Sequence, residues 1–563
     1  MDGNGLIMDS ENKKRSFHCS MPPVFLHDLL SRAAACWPEK TAVTESRASI
    51  SYGQLQQSVE QKTSALLHLK LRRSARIALY LEKSIETVAA SFAVTAAAGV
   101  LVPVNPVLKA AQVVHILKDA GASVLLTSAE RLSALLPFLH QCPDLQHVVL
   151  NEEGAESQAS LLKNCQVSLH SWARLGVFGV LGVPVQSAVP FAVETDMAVI
   201  FYTSGSTGPA KGVVLSHRNL VAGAVSVASY LCNDADDSVL AVLPLSFDAG
   251  FSQITTSFLV GARVVLLNYL VPQDVLRCLF NERITALTAV PPLYVQLARL
   301  QWPAAEGLAL RYWANTGGHL PRETLVRMRQ LAPAASPYLM YGLTEAFRST
   351  YLPPDQVDLR PGSMGRAIPN VQVCVVRDDG SECEAEEPGE LVHRGPLVAL
   401  GYWNRPEETA HRFRPLPAAF TMDAEYQSMF EERAVYSGDT VRRDAEGYLY
   451  FVARRDEMIK SSSYRISPSE VEDALYRSPL VAEALVYAKP DELLGSAVCA
   501  ALLASPVASG NQEKDTAAVM AQVREFLPAF MCPRELHWTN QPFPRNPNGK
   551  LDRQHWVQEH GKV

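Results

Sequence analysis

The sequence predicts an α/β protein: a large N-terminal domain of layered α/β subdomains with a β-rich subdomain attached, followed by a small α+β domain. Three observations predict it. The 563-residue chain exceeds what one hydrophobic core organises, since domains run to roughly 100 to 200 residues. Short β-branched runs alternate with amphipathic helical segments over most of its length, as buried parallel strands between helices do. That alternation gives way twice, first to strands and turns and then to a mixed C-terminal unit.

In order, residues 23–150 carry strands such as Arg76-Ile-Ala-Leu-Tyr80 and Ala122-Ser-Val-Leu-Leu-Thr127 between helical stretches. Residues 151–194 hold Gly, Ser and Val with little helical period and read as a connection. A second α/β run covers 196–337, with strands expected at 197–202, 239–243, 263–267 and 286–290, each short, apolar and followed by a helix-like segment. Between 362 and 451, Asp379-Gly380 and Glu446-Gly447 punctuate a strand-and-turn region. The charged link Arg454-Arg-Asp-Glu457 leads to a unit with helices at 467–478 and 516–526. The expected domains are 23–455 and 456–563, without internal repeats.

Hydrophobic residues make up 48% of the chain and charged residues 19%, so core is plentiful. A net charge of −7, with only the short Lys13-Lys14-Arg15 cluster, speaks against nucleic-acid binding. The first twenty residues lack a secretory pattern. No segment reaches the roughly 20 apolar residues of a membrane span, and 89–101 reads as a helix running into a strand. A cytoplasmic location is expected. The ten cysteines include no Cys-x-x-Cys pair, so neither a zinc site nor a disulfide framework is expected.

The strand 198–202 runs into Thr203-Ser-Gly-Ser-Thr-Gly-Pro-Ala-Lys-Gly212 and then Val213-Val-Leu215. Gly205, Gly208 and Gly212 let backbone N–H groups approach phosphate oxygens. Thr203, Ser204, Ser206 and Thr207 add hydroxyls, and Lys211 a positive charge. A nucleotide-phosphate cradle is the consequence. It is not a Walker A loop, because Ala210 precedes Lys211 and Gly212 follows it. Alone, such a loop is as often a flexible turn.

Residues 203–213 resemble the signature loop of the adenylate-forming superfamily, which contains acyl-CoA synthetases, adenylation domains of nonribosomal peptide synthetases and firefly luciferase. Ala210 replaces that loop's usual proline. Further matches follow in family order. Tyr341-Gly-Leu-Thr-Glu345 resembles the motif whose ring lies by adenine, whose Thr meets the α-phosphate and whose Glu helps hold magnesium. The resemblance thus implies ATP and Mg²⁺, with Lys211, Thr344 and Glu345 catalytic and Thr344 and Glu345 beside the metal; a carboxylate and a hydroxyl near polyphosphate suit a hard cation. It also places Gly317 at the nucleotide. Tyr436-Ser-Gly-Asp439 resembles the motif whose aspartate accepts both ribose hydroxyls. Arg454-Arg-Asp-Glu-Met-Ile-Lys460 resembles the interdomain junction, with Arg454 on the nucleotide and Asp456 as hinge.

Pro544-Arg-Asn-Pro-Asn-Gly-Lys-Leu-Asp-Arg553 resembles the loop of the catalytic lysine, here Lys550, on a small mobile domain. A cation there neutralises charge building between carboxylate and α-phosphate, although a lone C-terminal lysine is ordinarily solvated. One departure concerns the thiol channel, to which the resemblance assigns the loop Lys460-Ser-Ser-Ser-Tyr-Arg465. Ser463 stands where the family usually has Gly, and beside Arg465 its side chain narrows a pantetheine path.

Matches span about 23–553. Leu243-Pro-Leu-Ser-Phe-Asp248, Trp313-Ala-Asn-Thr-Gly-Gly-His319 and Tyr341–Pro354 look closer still to stand-alone exosortase-A-associated acyl-CoA ligases and to free-standing amino-acid:carrier-protein ligases. The acid pocket implied is Phe247, Asp248, Gly318 and Arg348. Asp248 matches the aspartate that pairs with a substrate ammonium, a charge-assisted bond of about 1.5–3 kcal/mol; the plainer reading is a carboxylate capping the next turn. Arg348 meets either a second substrate carboxylate or a protein acid. Three functions follow: a ligase passing an amino, imino or other small acid to a carrier-protein phosphopantetheine, a coenzyme A ligase for an acyl or aryl acid, and a silent nucleotide-binding scaffold.

Overall fold

Parallel strands buried on both faces need helices on either side, and two large sheets of this kind organise the chain. The computed structural model describes residues 22–46, 48–151, 167–172, 175, 192–205, 208–420, 432–454, 459–461, 464–491, 495–529, 531–545 and 551–560. The nine-stranded sheet runs Arg366–Ala367, Thr350–Leu352, Ser336–Tyr341, Tyr312–Asn315, Ala286–Ala289, Ser238–Ala241, Arg263–Leu266, Thr41–Glu45, Ala48–Ser51, parallel in its middle and antiparallel at both edges. The eight-stranded sheet runs Gly401–Tyr402, Gly208–Ser216, Met197–Gly205, Val100–Pro103, Arg76–Tyr80, Ala122–Thr127, His147–Leu150, Ser168–Ser171.

These sheets do not follow the division into two α/β runs. Thr41–Glu45 leaves the first run and pairs with the second, Val43 opposite Val264. Met197–Gly205 does the reverse, Leu101 opposite Val199. The last strand of the eight-stranded sheet, Ser168–Ser171, lies in the stretch read as a connection. Nothing in the local sequence of Thr41–Glu45 or Met197–Gly205 ties either to one sheet, so packing decides. The helix Ile85–Ala96 is buried at every residue from Thr87 to Thr95, as an all-round apolar helix must be. Its Phe92 meets Phe251 and Phe258 of the helix Asp248–Val260, at centroid distances of 6.3 and 5.2 Å, and Phe251 meets Phe201 of the eight-stranded sheet at 5.9 Å. One core therefore joins both sheets through these helices.

The β-rich region forms a five-stranded antiparallel sheet from Gln372–Val376, Gly389–Arg394, Arg433–Arg443, Phe413–Pro415 and Leu449–Arg454. Its turns at Asp379-Gly380 and Glu446-Gly447 hold Gly380 at φ 83° and Gly447 at φ 86°, the left-handed region that favours glycine. The small domain has a ribbon, Ile459–Ser461 with Tyr464–Ile466, and a three-stranded sheet, Val481–Asp491, Gly495–Ala504 and Glu535–Thr539. Helices Pro468–Tyr476 and Gln512–Phe526 pack on that sheet. The second starts four residues earlier than expected because the Asn511 side chain accepts from Lys514 N and caps it (3.1 Å).

Seven described cysteines are free thiols. Cys36 departs from the expectation that no disulfide framework forms: it is disulfide-bonded. Among the described residues no helix is long and apolar enough to cross a membrane.

Candidate active site

The phosphate-loop sequence is a β-hairpin rather than an open loop. Its strands extend to Gly205 and restart at Gly208, with Tyr202 opposite Gly212 and Thr203 opposite Lys211. Ser206 and Thr207 lie outside the described residues, and of Ser204, Gly205 and Gly208 only the backbone is described. Gly212 serves packing: a Cβ there would stand 2.6 Å from Ile200 Cγ2 and 3.3 Å from Trp403 Cβ. The hairpin is fastened to the helix Ala110–Ala120, where Asp119 accepts from Tyr202 Oη at 2.7 Å and pairs with Arg405 at 2.8 Å. Lys211 pairs with Glu408 and stands 5.9 Å from the Tyr402 ring centroid.

Tyr402 links this hairpin to the Thr-Glu motif, since its hydroxyl donates to Glu345 Oε1 at 2.5 Å. Thr344–Ala346 form a single 3₁₀ turn, and Thr344 is buried. Phe347 follows at φ 57° and ψ −66°, while Arg348 N donates to Ala346 O at 2.7 Å. This is a γ-turn, a strained conformation of the kind found at functional sites. It turns Glu345 towards Tyr402 while the Phe347 ring fills the space over Gly223.

Asp439 is buried and gathers a third group. Tyr341 Oη donates to its Oδ2 at 2.5 Å, and Arg454 Nε lies 3.3 Å from Oδ1 across the strand pair that sets Asp439 opposite Arg454. The Tyr341 ring stacks on His393 at 6.2 Å. Burial, and then the charge of Arg412, push His393 down to about 3, so it stays neutral. Burial opposes the charge on Arg412, but Glu345, Tyr402, Asp439 and Tyr341 outweigh that and raise its pKa. Arg412 thus faces both carboxylates, and its Nε has no hydrogen-bond partner among the described residues.

A cavity of about 440 Å³ opens between the domains, within the range of small-ligand sites. Gly317, Gly318, Tyr341, Asp439 and Arg454 line it from the large domain; Glu472, Asp473, Arg545, Leu551 and Arg553 line it from the small one. Gly317 sits at φ 79°, so the backbone itself forms that wall. His319 Nε2 reaches Asp473 Oδ1 across the cleft at 3.2 Å. Arg545 and Leu551 pair as a β-bridge, which brings both ends of the lysine loop to the cavity. Lys550 itself, the expected hinge residue Asp456 and Ser463 lie outside the described residues, and of Arg465 only the backbone is described.

Of the residues expected in the acid pocket, Phe247 and Asp248 stand at the start of the helix Asp248–Val260, while Gly318 lines the interdomain cavity. Phe247 is the N-cap of that helix, and buried Asp248 accepts from Ala249 N at 2.8 Å. The helix start sits tightly on Pro244, whose carbonyl oxygen leaves no room for a Cβ on Gly250. Buried Lys83 fixes the preceding segment by donating to Ala241 O and Leu243 O at 2.6 and 3.2 Å. Arg348, also buried, donates to Thr316 Oγ1 at 2.8 Å.

Sequence reasoning missed Tyr402, Glu408 and Arg412. All three fall in Gly401–Arg412, where Pro406 opens a helix with Glu407 and Glu408 in its first turn. That start is legible, but nothing local says the helix faces the phosphate hairpin. His319 and Asp473 were also missed, since their pairing depends on how the domains meet.

A model of the AMP-binding enzyme family matches residues 30–403, and one of the AMP-binding enzyme C-terminal domain matches residues 470–550. A linear gramicidin synthase of Brevibacillus parabrevis is 29% identical over 531 residues, covering 94% of this chain, which spans only 6% of that protein's length. Indoleacetate–CoA ligase of Aromatoleum aromaticum is 29% identical over 533 residues, 93% of this chain and 96% of its own. The crystal structure of the anthranilate CoA ligase AuaEII with anthranoyl-AMP superimposes with a TM-score of 0.82 at 23% identity, covering 96% of this chain and 98% of that one.

Proposed function

The chain belongs to the AMP-binding enzyme family, and from that premise we propose that it is an AMP-forming ligase that activates a carboxylic acid with ATP and transfers the acyl group to a thiol. The observation that carries the reading is the arrangement of three groups: the Tyr341–Asp439–Arg454 cluster and the small-domain segment bracketed by Arg545 and Leu551 line one cleft, and Lys211 with Glu345 through Tyr402 is joined to Asp439 by the shared charge of Arg412.

In this reading an oxygen of the acid attacks the α-phosphorus, the bond to the bridging oxygen breaks and pyrophosphate leaves. Lys211 exchanges Glu408 for phosphate oxygens, and Asp439 holds the ribose hydroxyls. Glu345 and Thr344 offer few oxygens, which suits Mg²⁺, an ion that completes its shell with phosphate and water. Bound there, it would neutralise charge on the leaving pyrophosphate. Lys550 stabilises the pentacoordinate centre. A thiol then attacks the acyl carbon, and AMP leaves with its oxygen. For that step the small domain turns about Asp456 and opens the channel by Ser463 and Arg465.

The acid class favoured is an amino or imino acid, on the position of Asp248 at a buried helix start. Coenzyme A is favoured as acceptor by the end-to-end match to a CoA ligase, with a carrier-protein phosphopantetheine as the second possibility. The test is acid-dependent ATP–pyrophosphate exchange across amino, dicarboxylic, aryl and fatty acids, repeated with Asp248→Ala. Exchange with an amino acid that the variant abolishes supports the reading. Exchange confined to fatty or aryl acids and spared by the variant removes Asp248 as an ammonium anchor, and no exchange at all removes the ligase.

A further inference from the structure

Arg348 is buried, 4% exposed, and forms no ion pair among the described residues. Its contact is a neutral hydroxyl, Thr316 Oγ1 at 2.8 Å, and its Nε has no partner among the described residues. Burying a cation without a counter-charge is strongly unfavourable. Such a group persists where a ligand supplies the anion.

The surroundings are built for one. Arg348 borders a small internal cavity with Ser252, Gln253, Thr256, Thr288 and Met340. Among the described residues Thr256 Oγ1 is buried without a hydrogen-bond partner, so its hydroxyl is available as a donor, and Gln253 Oε1 is likewise unsatisfied. Asp248, Ser252 and Thr256 recur every fourth residue along one face of the helix Asp248–Val260, which places each polar group about 6 Å beyond the last. Met340 also borders the interdomain cleft, so the cavity lies directly behind the wall of the candidate active site. Of that stripe, Ser252 and Thr256 reach the cavity that Arg348 borders.

We propose that the acid activated by this chain is dicarboxylic, one carboxylate reacting in the cleft and the second entering the internal cavity to pair with Arg348 and the Thr256 hydroxyl. This rests on the ligase reading and names its substrate class. An acid lacking the second carboxylate leaves Arg348 unpaired, and sites built around a buried polar group discriminate strongly against such analogues.

The experiment is ATP–pyrophosphate exchange with matched pairs: succinate and butyrate, glutarate and pentanoate, glutamate and norvaline, phthalate and benzoate. The wild type should favour the diacid of at least one pair, and Arg348→Leu should lower that diacid-to-monoacid ratio of kcat/KM by about 100-fold, the loss of one charge-assisted contact. Thr256→Val, a near-isosteric change, should lower the ratio by about tenfold and serves if Arg348→Leu does not fold. Preference for the monoacid in every pair, or an unchanged ratio in the folded variants, overturns the proposal. Absence of exchange with every acid overturns the ligase reading instead. The subsite is then judged by thermal shift with the same diacids: a rise in Tm that the variants lose supports it, and no rise sinks it.

Discussion

Replacing Gly223 by Ala tests whether the γ-turn at Phe347 sets the geometry of the site. Gly223 lies inside the helix His217–Leu231, where Ala is intrinsically favoured over Gly by about 1 kcal/mol. A Cβ there would stand 2.5 Å from both Cδ1 and Cε1 of Phe347, whereas carbon atoms settle at about 3.5–4.0 Å. The ring, 1% exposed, must retreat by about 1 Å. Overpacking of this kind costs about 1–3 kcal/mol, so the net loss of stability is about 0–2 kcal/mol once the helix gain is subtracted. Function should suffer more. The ring's backbone is the centre of the turn whose flanks carry Glu345 and Arg348, and displacing a positioned group by about 1 Å costs about 100-fold in rate. Acid-dependent pyrophosphate exchange should therefore fall about 100-fold in a protein whose thermal unfolding shifts only slightly. The double variant with Phe347→Leu should lose less than the sum of the single losses, as coupled neighbours do. Wild-type exchange by Gly223→Ala, or strict additivity in the cycle, would refute the reasoning.

Three further outcomes are expected. Lys550→Ala should slow adenylation by about two to three orders of magnitude with ATP binding retained, the loss of one charge-stabilising group; exchange at the wild-type rate removes Lys550 from the chemistry. His393 is held down to about 3 by burial, then by Arg412. Its contribution to stability is whole above the unfolded value near 6.5 and drains as pH falls towards 3, by at most about 1.4 kcal/mol per pH unit. His393→Phe should flatten that acid limb in chemical denaturation, and an unaltered limb contradicts the assignment. At the domain boundary desolvation lowers the His319 pKa, but the hydrogen bond and charge of Asp473 outweigh it and leave the pKa raised. The contact between domains is then strongest below pH 6.5 and weakens as pH rises through the raised value. Fluorescence transfer between labels on the two domains should report that loosening, and His319→Gln should abolish its pH dependence.

What the sequence made legible was whatever is encoded over a few residues. Short apolar runs located the strands, Asp379-Gly380 and Glu446-Gly447 located two turns, and four compact motifs singled out Lys211, Glu345, Asp439 and Arg454, of which Asp439 and Arg454 line the cleft while Lys211 stands by Tyr402, the donor to Glu345. Sheet membership was not legible, because Val43 suits Val264 no better by composition than it suits the neighbours of its own run. Tyr402 and Arg412 escaped for a related reason: an aromatic residue ending a strand and an arginine ending a helix are ordinary until their carboxylate partners are known. Arg348 was legible as a candidate by its place just after the Thr-Glu motif. That it faces a hydroxyl and no described acid could only come from packing.

The exchange of strands between the two large sheets sets where this polypeptide can be divided. A fragment ending before residue 192 would keep Thr41–Glu45 without Arg263–Leu266 and Val100–Pro103 without Met197–Gly205. Each half would expose an unpaired sheet edge, and unpaired edges invite aggregation. Splitting the chain there for complementation should yield two insoluble pieces that recover only when folded together. A cut at the start of the small domain severs no strand pair of either large sheet, which makes that boundary the place to build chimaeras or attach reporters.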